Sequence, residues 1–218
     1  MTIPLARPGA ALLLDAAGTL LRPAEPVAET YARHARAHGI AIDAATIAAR
    51  FAPAFREATP LRRGAADWRP FWRAVVQGCT GSDDSELLDA LIRHFAEPHA
   101  WTIAPGAADC CASVRARGMK VAVVSNWDHH LRPLLTGLGV SAWIDLLVVS
   151  AEEGLEKPDA AMFERACARL GVTPREAVHV GDDPVADLAG AQAAGCAALL
   201  IGRDVADFSA LARMLGVQ

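Results

Sequence analysis

Lysine is almost missing from this 218-residue chain: of 21 basic residues, two are lysine and 19 arginine. Alanine is very frequent, so the imbalance reads as genomic base composition rather than as a surface built for a partner. No CxxC pair occurs. The five cysteines (Cys79, Cys110, Cys111, Cys167 and Cys196) are odd in number. That pattern argues against a disulfide framework and for reduced, mostly buried thiols, as expected of a cytoplasmic protein. No apolar run approaches the roughly 18 residues a membrane span needs. Residues 1–8 are mixed and proline-punctuated, without a signal-peptide pattern. No repeat or low-complexity segment is present. A net charge of −4 gives no hint of a nucleic-acid surface. Neither nucleic acid nor membrane is therefore expected as a partner, and the oligomeric state is left open.

The chain does hold a core. It is 53% hydrophobic and 21% charged, which suits one large domain or one domain with an insertion. Residues 10–14 form an apolar run ending in Asp15, the pattern of a buried parallel strand. Helical patterns follow at 27–38, after Asp43 (Ile47, Phe51, Phe55), after Asp67, and at 82–95. Pro53 is expected to break or kink the second. Nothing between 21 and 98 reads as a strand. From 107 onward helix and strand alternate: helix 107–117, strand 120–124, helix 129–138, strand 146–149, a helix starting at Pro158, strand 178–180, helix 185–194, strand 197–201 and a helical end. Alternation implies a parallel sheet covered on both faces. The helical block before it reads as an insertion.

Four polar clusters stand out: Asp15-Ala16-Ala17-Gly18-Thr19, Ser125-Asn126, Lys157, and Gly181-Asp182-Asp183 with Asp187. Three directly follow apolar runs, and ligands of open parallel sheets bind beyond the carboxyl ends of the strands. The parts suit attack on a phosphoryl group. Asp15 would be the nucleophile. Gly18 allows a tight turn whose N–H groups hold phosphate oxygens. Ser125 offers a hydroxyl, and Lys157 neutralises charge and restrains Asp15. Asp182, with Asp183 or Asp187 behind it, offers hard oxygen ligands for Mg²⁺. Taken singly, each cluster is ordinary turn or cap chemistry; the order and placement together are not.

This order resembles the four motifs of the haloacid dehalogenase superfamily. The segments from Asp15 through Leu21 and Glu29-Thr30-Tyr31-Ala32, Ser125-Asn126-Trp127-Asp128, and His179-Val180-Gly181-Asp182 are similar to the branch containing the animal haloacid-dehalogenase-like hydrolase-domain proteins. The resemblance implies an α/β, Rossmann-like three-layer core from residues 1–21 and 98–218, and an all-helical cap at 22–97. It implies a hydrolase acting on small phosphorylated molecules, with Thr19 among the catalytic residues alongside Asp15, Ser125 and Lys157. It implies Mg²⁺ on Asp15, Asp182 and the carbonyl of Ala17, with Gly18, Ser125, Asn126 and Lys157 around the phosphate.

Ala17 is the departure. Most phosphatases of the superfamily carry a second Asp there, which protonates the leaving group. Its loss costs about 10²–10⁴ in rate. One reading is a phosphatase of good leaving groups, with weakened acid–base catalysis. Another is a dehalogenase, whose halide needs no proton; the acidic cluster weighs against it. Phosphonoacetaldehyde hydrolysis needs a cap lysine, and 22–98 contains none. A binding domain with little or no turnover is the remaining alternative.

Other residues take the plainer reading. Trp68, Phe71, Trp72 and Tyr31 are expected to pack in the helical core. Arg62-Arg63 reads as a solvated face, and His179 as a packed core histidine. His129-His130 lacks a third ligand at metal spacing.

Overall fold

The computed structural model describes residues 7–217; the N-terminal segment 1–6 read above lies outside them. The chain divides into two compact units, Pro23–Thr102 and the flanking sequence up to Arg22 and from Ile103. The sequence pattern put the later boundary at 97/98. The difference arises because a short 3-10 turn and strand β3 (Trp101–Ile103) follow the last helix of the insertion. That strand pairs with β2 (Leu21–Pro23) in a two-stranded sheet. Neither was expected. Each is three residues long, too short for alternation to register.

The helical unit contains α1 (Val27–Ala37), α2 (Ala44–Ala58), α3 (Arg69–Thr80) and α4 (Ser85–Ala96). Asp43 caps α2 by accepting from the Thr46 N–H at 2.6 Å. Pro53 does not break α2, which runs through it. The lost hydrogen bond is offset by packing: Ala54 and Ala58 are buried, and a Cβ at Gly78 of α3 would sit 2.7 Å from that of Ala54. The expected start of α4 at Ser82 moves to Ser85, because Asp84 accepts from the Glu86 and Leu87 N–H groups at 2.8 and 3.2 Å. Tyr31, Trp68 and Phe71 are core residues, as the spacing implied. Arg62 departs from expectation: its guanidinium stacks 5.1–5.4 Å from the ring centres of Phe55, Trp68 and Phe71.

The second unit is α/β. Its strands are β1 (Ala11–Leu14), β4 (Lys120–Ser125), β5 (Leu146–Val149), β6 (Ala177–Gly181) and β7 (Ala197–Leu200). They form a parallel sheet in the order β5-β4-β1-β6-β7. Every β1 residue is fully buried, as a central strand with both faces covered must be. Helices α5 (Ala107–Ala116) and α10 (Phe208–Leu215) pack together. So do α8 (Ala160–Leu170) and α9 (Gly190–Ala193). Alternate strand residues Leu13, Ala122, Val124 and Val148 meet Met162, Phe163 and Ala166 of α8 in one apolar cluster. Helices α6 (Leu131–Gly137) and α7 (Ser150–Glu153) complete the set.

Three helix starts shift from expectation. The helix expected to start at Pro158 begins at Ala160, capped by Asp159. The helix expected at 129 begins at Leu131, because Asp128 accepts from the His130 N–H. The segment expected as one helix from 185 opens as a π-turn, Pro184–Ala189, a form that recurs at functional sites. All five cysteines are free and buried. Among the described residues no helix is long and apolar enough to cross a membrane.

Candidate active site

β1, β4 and β6 end side by side, and their last residues carry the polar clusters. The Asp15 N–H continues the ladder to the Val180 carbonyl at 2.9 Å, so its side chain leaves at the sheet's carboxyl edge. Asp15 is only 6% exposed. Its Oδ1 accepts from Ser125 Oγ at 2.9 Å and from Lys157 Nζ at 2.6 Å.

Lys157 is almost wholly buried and also donates to Asp187 Oδ1 at 2.5 Å. Burial disfavours its charge, but the adjacent Asp15 and Asp187 carboxylates outweigh this and raise its pKa. Its loop is clamped through the main chain. The Lys157 N–H donates to Asn126 Oδ1 at 2.7 Å, and Asn126 Nδ2 donates to the Lys157 carbonyl at 2.8 Å. Asn126, expected at the phosphate, thus holds the lysine in place. The Lys157–Pro158 peptide is cis. A Cβ at Gly190 would lie 2.8 Å from Pro158 Cα, so only glycine lets the two segments meet.

Asp187 is buried and uses both oxygens. Oδ1 takes Lys157 Nζ and faces His179 Nε2 at 2.8 Å; Oδ2 accepts from the Asp182 and Asp183 N–H groups at 3.1 and 3.0 Å. Burial pushes its pKa up, but the His179 hydrogen bond and the Lys157 charge hold it well below the usual carboxylate range. Gly18, at φ +76°, lies against Asp182: a Cβ there would fall 2.1 Å from Asp182 Oδ2. Asp182 opens to solvent on one side. Partial burial, then the charges of Asp15 and Asp187, push its carboxyl up to about 6. Asp15, Asp182 and Asp187 bring carboxylate oxygens within 4.8 Å of one another.

A profile of haloacid dehalogenase-like hydrolases matches residues 10–195. The chain belongs to that family. The hydrolase is 36% identical over 203 residues to haloacid dehalogenase-like hydrolase domain-containing protein 3 of Mus musculus, covering 87% of this chain and 80% of that protein. It is 33% identical to phosphoserine phosphatase of Thermus thermophilus over 68% of its own length and 61% of that protein's. L-2-haloacid dehalogenase from Xanthobacter autotrophicus, with chloropropionic acid covalently bound, superposes with a TM-score of 0.70 at 24% identity, over 94% of this chain and 81% of that one. At that identity the likeness shows the fold alone.

The remaining motif residues of the hydrolase sit as follows. Ala17 is exposed and bridges to Leu21 through its backbone. Thr19 is buried, and its hydroxyl has no hydrogen-bond partner among the described residues. Asp183 caps the π-turn, accepting from the Val185 and Ala186 N–H groups at 2.7 Å each. His179, read from the sequence as a packed core histidine, has a second role at the site. It does pack in the core, 4.9 Å centre to centre from Phe163, yet it also faces Asp187. Burial lowers its pKa, so the ring is neutral at neutral pH and its Nε2–H donates to Asp187. An apolar strand (Ala177, Val178, Val180) interrupted by one histidine was the available signal.

Proposed function

We propose that this hydrolase is a phosphatase of small phosphorylated molecules that works through an aspartyl-phosphate on Asp15. The observation that carries the reading is the convergence of Ser125 and Lys157 on Asp15 Oδ1, beside the open carboxylate of Asp182.

The donor set fits Mg²⁺. Three carboxylates without a nitrogen or sulfur among them suit a hard cation. Asp187 already satisfies four donors, so Asp15, Asp182 and the Ala17 carbonyl are the groups that would hold the ion, with Asp187 behind them. Asp183, spent on its cap, contributes through the loop's shape. A bound Mg²⁺ would supply charge neutralisation between the Asp15 carboxylate and the anionic phosphate.

The chain's own residues do the rest. Ser125 and Lys157 fix one oxygen of Asp15, which leaves Oδ2 to attack phosphorus. Lys157, Ser125 and backbone N–H groups beside Gly18, whose own N–H is bonded to the Leu21 carbonyl at 2.9 Å, receive the phosphoryl oxygens. The Oδ2–P bond forms as the ester P–O bond breaks, and the departing oxygen must take a proton or leave as an anion. Ala17 has none to give. Aryl and acyl phosphates, whose anions are stable, are therefore the favoured substrates.

Ala17 also favours a second reading, a phosphate-binding domain with negligible turnover. The two are separated by phosphate release from p-nitrophenyl phosphate and acetyl phosphate. Release that requires Mg²⁺ and vanishes in Asp15→Asn supports the phosphatase. Absence of release with Mg²⁺ present overturns it, and halide release from 2-chloropropionate without metal would point to dehalogenation instead.

A further inference from the structure

Three residues past Ser125, the chain gathers a second set of ligating side chains that the proposed phosphatase chemistry does not use. Asp128, His129 and His130 present a carboxylate oxygen and two imidazole nitrogens within 4.8 Å of one another. The third ligand that the histidine pair lacked in the sequence is Asp128, two residues from His130 and almost wholly buried. Its Oδ1 lies 2.9 Å from His130 Nδ1 and 2.9 Å from the His130 backbone nitrogen. The rings of His129 and His130 lie face to face, 4.2 Å between centres and tilted by 34°.

We propose that Asp128, His129 and His130 form a site for one divalent first-row transition metal of the zinc class. Two ligands each about 2.1 Å from a tetrahedral ion stand roughly 3.4 Å apart, so the 2.9 Å hydrogen bond between Asp128 Oδ1 and His130 Nδ1 needs to open by only about 0.5 Å to admit one. Imidazole with one carboxylate suits first-row transition ions such as zinc, whereas the all-oxygen cluster at Asp15 suits Mg²⁺. The sites share no residue. His129 is exposed, so its ring can turn onto the ion without repacking the core. Three protein ligands leave a position for water. Without metal, the Asp128 carboxylate accepts from Nδ1–H of His130. Ligation at Nδ1 requires that nitrogen bare, so the ring proton moves to Nε2.

The test is titration of the full chain with Zn²⁺ in excess Mg²⁺, by calorimetry and by nitrogen-15 NMR of labelled histidine. One equivalent should bind, and the His130 proton should shift from Nδ1 to Nε2. Affinity should fall about tenfold or more in His129→Asn, His130→Asn and Asp128→Asn, and be unchanged in Asp182→Asn. His129→Asn keeps the test clean, because an exposed ring can be replaced without disturbing the loop. No binding in excess Mg²⁺, binding that survives His129→Asn and His130→Asn, or binding lost in Asp182→Asn would each overturn the proposal. The outcome is independent of phosphatase turnover.

Discussion

His179 and Asp187 are tied across the end of β6: the imidazole donates from Nε2 to Asp187 Oδ1 at 2.8 Å. The same oxygen receives Lys157 Nζ, which reaches on to Asp15. A neutral ring deep in the sheet thereby helps set the position of an ammonium at its edge. Truncating it removes a donor and opens a cavity beside Phe163. His179→Ala should lower stability by about 2–4 kcal/mol and weaken Mg²⁺ binding about tenfold. Urea unfolding and Mg²⁺ titration measure the two effects separately. Unaltered Mg²⁺ affinity would leave His179 a packing residue only.

Ala17→Asp should restore a proton donor for the leaving group. Turnover of alkyl phosphate monoesters should rise by about 10²–10⁴, while acetyl phosphate, which leaves without a proton, should gain far less. The ratio of the two rates is the readout. Equal gains would show that the missing carboxylate is not what limits alkyl esters.

Gly18→Ala places a methyl group where Asp182 Oδ2 now lies and forces an L-residue to φ +76°. Backbone strain alone costs about 1–2 kcal/mol. The displaced Asp182 carboxylate should weaken Mg²⁺ binding by about tenfold. Thermal unfolding with and without Mg²⁺ checks both: the variant should gain less from the ion than the parent.

Glu153, on α7, holds Arg165 and Arg169 of α8 at 2.7 and 2.5 Å. Burial raises its pKa, but the bonds from Arg169 and Arg165 outweigh this and hold it below the usual glutamate range. Its stabilisation is therefore present above the usual glutamate range and is lost as pH falls through the depressed pKa. Glu153→Gln should cost about 1–2 kcal/mol at pH 7, and the gap should close in acid. A gap that stays constant from pH 7 to pH 3 would refute the ion-pair account.

Much of this architecture could be read beforehand because burial and chemistry coincide in the chain. Apolar runs that stop at Asp15, Ser125 and Gly181 mark strands, and the residue at each stop marks the rim. Less could be read where one residue has two roles. His179 is both core packing and hydrogen-bond donor, and nothing in periodicity separates the two. Arg62 was assigned to solvent by its charge, yet a guanidinium is flat enough to lie on aromatic rings. Pro53 was expected to interrupt α2; the close contact of Ala54 with Gly78 made the lost bond tolerable. Asn126 could not be placed without knowing that the Lys157 main chain passes beside it.

Position 17 joins its loop through a backbone bridge to Leu21 and is exposed to solvent. The scaffold therefore neither requires nor resists a carboxylate there. Under the phosphatase chemistry proposed above, a change at that one codon alters which leaving groups the loop can serve while the backbone bridge that builds the loop is untouched.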